Sequence, residues 1–181
     1  MQDELYYLEF IKPIVEIIKN LKTTKTKCIY FKNLKQKDFD ESSRIIIPGT
    51  YLKDFEYINN IDEFKWIKNY NKQILGICSG MQIISKIYGS ELIDDKEIGV
   101  VELSYKKNLL KDIKNVYALH NLGIKNVDNF QIIAKSKQSI LGIKHNKKPI
   151  YGMMFHPEVL NKKIIEKFIK LINIFFIMYT T

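Results

Sequence analysis

Residues 74–89 read ILGICSGMQIISKIYG: an apolar run meets Cys78, flanked by Gly76 and Gly80, and helical spacing begins at once. Gly-x-Cys-x-Gly has the form of a nucleophile elbow. In that geometry the nucleophile sits in a strained turn between strand and helix, and side chains two positions either way would clash. The turn would push the sulfur out over the C-terminal edge of a sheet. It would also set the sulfur near a helix N-terminus, where backbone N–H groups favour a thiolate. The competing reading is a buried structural cysteine beside two chance glycines. Only 8 glycines occur in 181 residues, which argues against coincidence.

A thiol nucleophile needs a base, and the base needs a group to orient it. The chain has 3 histidines. His145, in KHNKK, reads as a solvated residue of a polar turn. His120, in ALHNLG, lies at the end of an expected strand and is either functional or a satisfied polar group. His156 follows the apolar run IYGMMF and precedes Pro157 and Glu158. Proline ends the strand, so imidazole and carboxylate project from a fixed turn, with Glu158 placed to hold the second ring nitrogen.

The elements that must position these groups follow from periodicity. Phe10, Ile11, Ile14, Val15, Ile18 and Leu21 recur at helical spacing, with Pro13 in a first turn. CIYF (28–31), RIIIPG (44–49) and ILGI (74–77) read as strands, separated by a helix through Ile61, Phe64, Ile67 and Tyr70. Met81, Ile84, Ile87 and Tyr88 line the helix after the elbow. This alternation predicts an α/β fold with a doubly wound, mostly parallel sheet flanked by helices. In the second half, runs at 98–105, 115–119, 130–135, 139–145 and 149–155 follow in quick succession as strands, which adds antiparallel strands to the sheet, with one helical turn at 109–113. A last helix is expected from about Lys162, with Ile165, Phe168, Leu171, Ile172 and Phe175 on one face. No repeat or linker interrupts residues 1–181, which read as a single domain. A doubly wound domain normally opens with a buried strand, whereas MQDELYYLE reads as a loop. The first strand is therefore expected to be missing, through a late start or a truncation.

Composition narrows the class. Hydrophobic residues make up 46 % and charged residues 27 %, ordinary for a globular protein. The net charge of +9 comes from lysines scattered along the chain, with no basic block interleaved with aromatics, so a solvated surface is preferred to a nucleic-acid partner. Two distant cysteines fit neither a metal site nor a disulfide framework and suggest a reducing cytoplasm. Asp3 and Glu4 oppose a signal peptide, and no window has the roughly 18 apolar residues of a membrane span. A membrane role for the tail FIKLINIFFIMY is the weakest reading; its apolar end is expected to pack, or to meet a partner subunit.

GICSGMQ together with YGMMFHPEV resembles the class I, triad-type glutamine amidotransferases. The resemblance runs from the first helix onward and includes EIG (97–99). It implies a glutaminase in which Cys78, His156 and Glu158 are the catalytic triad, with glutamine as substrate and ammonia handed to a partner synthetase. No cofactor and no metal are implied. It also implies an oxyanion hole built from the Ser79 N–H and from Gly49 or Thr50, and it puts Gln82 against the amino-acid end of the substrate. IPGTYL departs from the common Gly-Gly-Pro and is nearer the Pro-Gly-x-Gly of the histidine-biosynthesis glutaminases, with Tyr51 in place of the second glycine. In that version a peptide flip can precede hole formation, which implies low activity without a partner. His120 matches the histidine of the GMP synthetase glutaminases, but Leu122 and Gly123 stand where that family has an acidic pair, which counts against GMP synthesis. Ser79-Gly80 and Val159 count against the anthranilate and carbamoyl-phosphate types. Two other readings stay open: a non-catalytic amidotransferase-like binding or regulatory subunit, and a γ-glutamyl peptide hydrolase on the same scaffold.

Overall fold

The structure is a computed structural model and describes residues 2–21, 25–107, 110–170 and 174–179. One sheet of eight strands forms its centre. The parallel part comprises β1 (Lys25–Tyr30), β2 (Arg44–Ile47), β3 (Gln73–Ile77), β9 (Ile150–Met153) and β10 (Ile174–Tyr179). The antiparallel part adds β5 (Tyr105–Lys106), β7 (Phe130–Lys135) and β8 (Ile140–His145), giving the order β1-β10-β2-β3-β9-β8-β7-β5. A separate two-stranded ribbon pairs β4 (Glu91–Glu102) with β6 (Asn115–Lys125). The expected architecture, a mostly parallel sheet with antiparallel strands in the second half, is what the chain adopts.

Burial explains the central strands. Every residue of β2 is buried, and β3 is buried from Ile74 to Ile77, the pattern of strands covered on both faces. Over them lies the helical opening segment: α1 (Gln2–Tyr6), a wide π turn (Tyr7–Ile11) and α2 (Lys12–Asn20), with α7 (Lys163–Ile169) against α2. Ile14, Val15, Ile17 and Ile18 of α2 face the core. On the other side, α5 (Ser79–Ile87) is buried nearly all round because it is packed between β3, β9 and the β4–β6 ribbon. The shorter helices α3 (Gln36–Glu41), α4 (Glu56–Asn59) and α6 (Pro157–Leu160) punctuate the connections. Residues 61–68 form a tight 3₁₀ helix where the spacing suggested an α-helix.

Three expectations are corrected. The segment read as an opening loop is helical, and Tyr6 within it is buried. The last helix stops at Ile169, and the apolar stretch that was to extend it forms β10; Leu171 and Ile172 lie outside the described residues. Six consecutive apolar or aromatic residues suit a buried strand as well as a helix, and here the sheet offers them backbone partners. Among the described residues no strand precedes α1, yet the sheet has no gap beside β2. β10 lies between β1 and β2, parallel to both, with Lys25 opposite Ile174 and Ile45 opposite Phe176. Finally, His145 is buried, not solvated. Its ring meets Tyr88 and Phe130 edge-on at 4.4 and 5.4 Å, and its Nδ1 accepts the N–H groups of Lys147 and Lys148. No helix among the described residues is long and apolar enough to cross a membrane.

Candidate active site

β3 delivers Cys78 into the turn that starts α5. Its backbone takes φ 51°, ψ −109°, a conformation that costs a non-glycine residue of order 1–3 kcal/mol. Three hydrogen bonds hold it there: Cys78 N–H to Met153 O at 2.7 Å, and the N–H groups of Met81 and Gln82 to Cys78 O at 2.9 and 3.2 Å. The flanking glycines are demanded by close approach. A β-carbon on Gly76 would lie 2.5 Å from the carbonyl of Gly80, and one on Gly80 would lie 2.1 Å from the carbonyl oxygen of Ile47. The elbow therefore locks against β2 as well as β3.

His156 follows β9 on the neighbouring strand, and its N–H bonds Tyr117 O at 2.8 Å, tying the turn to β6. Pro157 opens α6, which turns the Glu158 side chain back so that His156 Nδ1 lies 2.7 Å from Glu158 Oε1. Both side chains are buried. Thiol and imidazole share the space over Gly49, where a β-carbon would sit 2.8 Å from His156 Cε1 and 3.2 Å from Cys78 Cβ. In the present rotamer the thiol donates to Leu119 O at 3.4 Å, and His156 Nε2 has no hydrogen-bond partner among the described residues.

Burial disfavours the imidazolium, but Glu158 and the nearby Cys78 outweigh it and raise the His156 pKa well above its ordinary value. His120 behaves oppositely: burial lowers its pKa, against the smaller upward pull of the Asp95 carbonyl. Its Nδ1 lies 2.8 Å from that carbonyl and must carry the proton, which leaves Nε2 an acceptor 3.9 Å from Glu97. The surroundings favour the charged form of His156 and the neutral form of His120, an arrangement that separates their roles. His120 lies in the middle of β6, not at the strand end expected from ALHNLG.

Cys78, Ser79, Thr50, Gln82, His120 and Asn121 line one cleft. Gln82 does not point a free amide into it. Its Oε1 accepts the Tyr57 hydroxyl, and its Nε2 donates to Leu122 O at 2.8 Å. It thus braces the cleft wall. The Thr50 hydroxyl donates to Asp54, and Asn121 holds Leu52 O at 3.1 Å, so the loop after β2 is fastened from two sides. The elements thus gather all eight residues singled out from the sequence. Sequence reasoning missed Tyr6, whose hydroxyl donates to Gly49 O at 2.9 Å, and Tyr57, the partner of Gln82. Among the described residues no cluster of His, Cys, Asp and Glu could hold a metal ion.

One prediction arises directly. Glu158→Gln removes the charge that offsets burial, so the His156 pKa falls. Any hydrolysis that relies on this imidazole should drop about 10²-fold, in the range of a misoriented general base. NMR titration of the His156 ring should show the shift. The sign for stability follows. A pKa raised by folding contributes stability that is full below the unfolded value of about 6.5 and is lost as pH rises through the folded value. That acid-side contribution should vanish in the variant; an unchanged imidazole titration would refute this account.

The family model for class-I glutamine amidotransferase matches residues 6–173. A glutamine-hydrolysing GMP synthase of Mesoplasma florum is 36 % identical over 118 residues, 57 % of this chain and 23 % of that protein. The Borreliella burgdorferi GMP synthase is 33 % identical over 159 residues, 80 % of this chain and 30 % of its own length. A subunit of the glutamine-hydrolysing GMP synthase of Methanobrevibacter smithii is 34 % identical over 104 residues, 52 % of this chain and 55 % of that protein. The chain therefore spans less than a third of the two bacterial relatives and about half of the archaeal one. Among solved structures, a protein from Thermoplasma acidophilum assigned to a GMP synthase superposes with TM-score 0.74 at 25 % identity, covering 84 % of this chain and 82 % of that one. A glutamine amidotransferase of Thermotoga maritima shares the fold at TM-score 0.67 and 16 % identity, over 87 % and 80 % of the two chains.

Proposed function

Because the chain belongs to the class-I glutamine amidotransferase family, we propose that it is a glutaminase subunit with Cys78, His156 and Glu158 as its triad, releasing ammonia to a partner synthetase. The observation that carries this reading is the convergence over Gly49 of the strained Cys78 turn with a buried imidazole backed by Glu158.

With its proton passed to His156, Cys78 Sγ attacks the side-chain carboxamide carbon of glutamine, and the C=O electron pair moves onto oxygen. The N–H groups of Ser79 and Thr50 receive that oxyanion. The electron pair returns as the C–N bond breaks, and His156, held as imidazolium, gives its proton to the departing nitrogen, which leaves as ammonia. Neutral His156 then takes a proton from water, whose oxygen attacks the thioester carbon. Glutamate leaves, and the sulfur departs as thiolate beside a reprotonated imidazole. Glu158 holds Nδ1 throughout, so that Nε2 faces the reacting atoms. Gln82, pinned by Tyr57 and Leu122, shapes the end of the cleft, and His120 stays neutral in its wall.

The family match over residues 6–173 supports reading the chain as one amidotransferase domain. The relatives named GMP synthase favour the synthetase half of such an enzyme as the ammonia acceptor, in spite of Leu122 and Gly123 at the expected acidic pair. The test is ammonia release from glutamine, with and without the synthetase half of a GMP synthase, together with mass spectrometry of a thioester on Cys78. Turnover stimulated by that partner is expected. Absence of both turnover and thioester under every pairing would make a non-catalytic binding role the better reading.

A further inference from the structure

We propose that Tyr6 is a positioning residue for the oxyanion hole, fixing the Gly49–Thr50 peptide so that the Thr50 N–H faces the nucleophile. This rests on the glutaminase reading above.

The Gly49–Thr50 peptide follows β2 where β2 abuts the elbow. It is planar and trans, so its C=O and N–H point in opposite directions. The orientation of one therefore sets the other. Tyr6, 1 % exposed, donates its hydroxyl to the Gly49 carbonyl at 2.9 Å from the helix that covers this end of the sheet. The carbonyl is thereby drawn toward α1, and the Thr50 N–H is left on the opposite side. That side opens on the cleft lined by Thr50, Cys78 and Ser79. Among the described residues the Thr50 N–H makes no hydrogen bond, which leaves it available to an oxyanion.

A second observation shows that the clamp is rigid. The Tyr6 ring is held by Phe10 at 5.3 Å and by Tyr51 at 6.0 Å, and Phe10 in turn reaches the His156 ring at 6.2 Å. The hydroxyl thus sits on a packed aromatic cluster that also borders the base. Thr50, and Tyr51 in place of the second glycine, are each engaged: Thr50 by Asp54, and Tyr51 by the rings of Tyr6 and Phe10. A peptide flip would break the Tyr6 bond and move a fastened threonine. The structure accordingly assigns the hole to a preformed state, with Tyr6 as its latch.

Tyr6→Phe tests this by deleting one oxygen while keeping the ring. The readouts are kcat and KM for glutamine, the inhibition constant of glutamate γ-semialdehyde, and the rate of Cys78 alkylation by iodoacetamide. The aldehyde forms a hemithioacetal whose oxygen needs the hole, whereas alkylation needs only thiol and imidazole. Expected are a kcat lowered about 10- to 100-fold, part of the ~10²–10³ that an oxyanion donor supplies, and a matching loss of aldehyde affinity. KM and the alkylation rate should stay within about 2-fold, since neither depends on the oxyanion. An unchanged kcat in a variant of an active parent overturns the latch alone. Equal falls in kcat and alkylation, the mark of a disturbed fold, also overturn it. A parent that neither turns over glutamine nor forms the thioester removes the glutaminase reading itself and the latch with it.

Discussion

Cys78→Ser is expected to lower glutamine turnover by on the order of 10⁴-fold or more, the scale seen when a triad nucleophile is lost. The size follows from the chemistry. In the proposed mechanism every later step acts on the thioester, and a serine hydroxyl beside an imidazole whose charged form Glu158 favours lacks a ready base to take its proton. The imidazolium suits a thiolate; it cannot activate an alcohol. Serine is nearly isosteric and can occupy the same φ 51° turn under the same three backbone bonds, so the fold should persist. The measurement is ammonia release alongside mass spectrometry for the acyl adduct, with the melting temperature as control. Activity within tenfold of the parent would remove Cys78 from the chemistry.

The second large effect is on stability. In Gly80→Ala the new methyl would lie 2.1 Å from the Ile47 carbonyl oxygen and 2.9 Å from its carbon. Both are backbone atoms of a fully buried central strand, so neither can swing aside. Relief requires β2 and the start of α5 to separate, undoing the packing that holds Cys78. Such overpacking belongs among the rare substitutions that cost about 4 kcal/mol or more. Against a typical domain stability of ~5–15 kcal/mol, that leaves little or nothing folded. Urea denaturation, or soluble yield if the variant does not survive purification, reads the outcome. A midpoint equal to the parent's would mean that the elbow does not press on β2 as described.

These two sites mark what the sequence could disclose. Gly76, Cys78 and Gly80 are adjacent in the chain, and each reports on the same local turn, so their spacing alone predicts strand, elbow and helix. His156 and Glu158 were legible for the same reason: a proline fixes the turn between them. Tyr6 was not legible, because its partner lies 43 residues away and nothing local distinguishes it from the exposed Tyr7. His145 was misread because its chain neighbours are polar while its spatial neighbours, Tyr88 and Phe130, are aromatic. His120 was placed at a strand end because β6 runs on to Lys125, past the apolar run that ends at Leu119, through its pairing with β4. The tail was given to a helix because a short apolar run has the same pattern in either element, and only the strands on either side of it decide.

The position of β10 also governs how the chain can fold. Its pairing partners are Lys25–Tyr30 on one side and residues of β2 on the other, so the sheet is completed by contacts between segments at opposite ends of the described chain. Joining Lys25 to Ile174 closes a long loop, and such non-local pairings are reached slowly. Until that happens β2 presents an unpaired edge, and β1, which pairs with β10 alone, has no partner strand. During that interval the same stretch from a second molecule can enter the slot in place of the molecule's own, so strand exchange between copies competes with self-completion and gains ground as the concentration of folding chains rises.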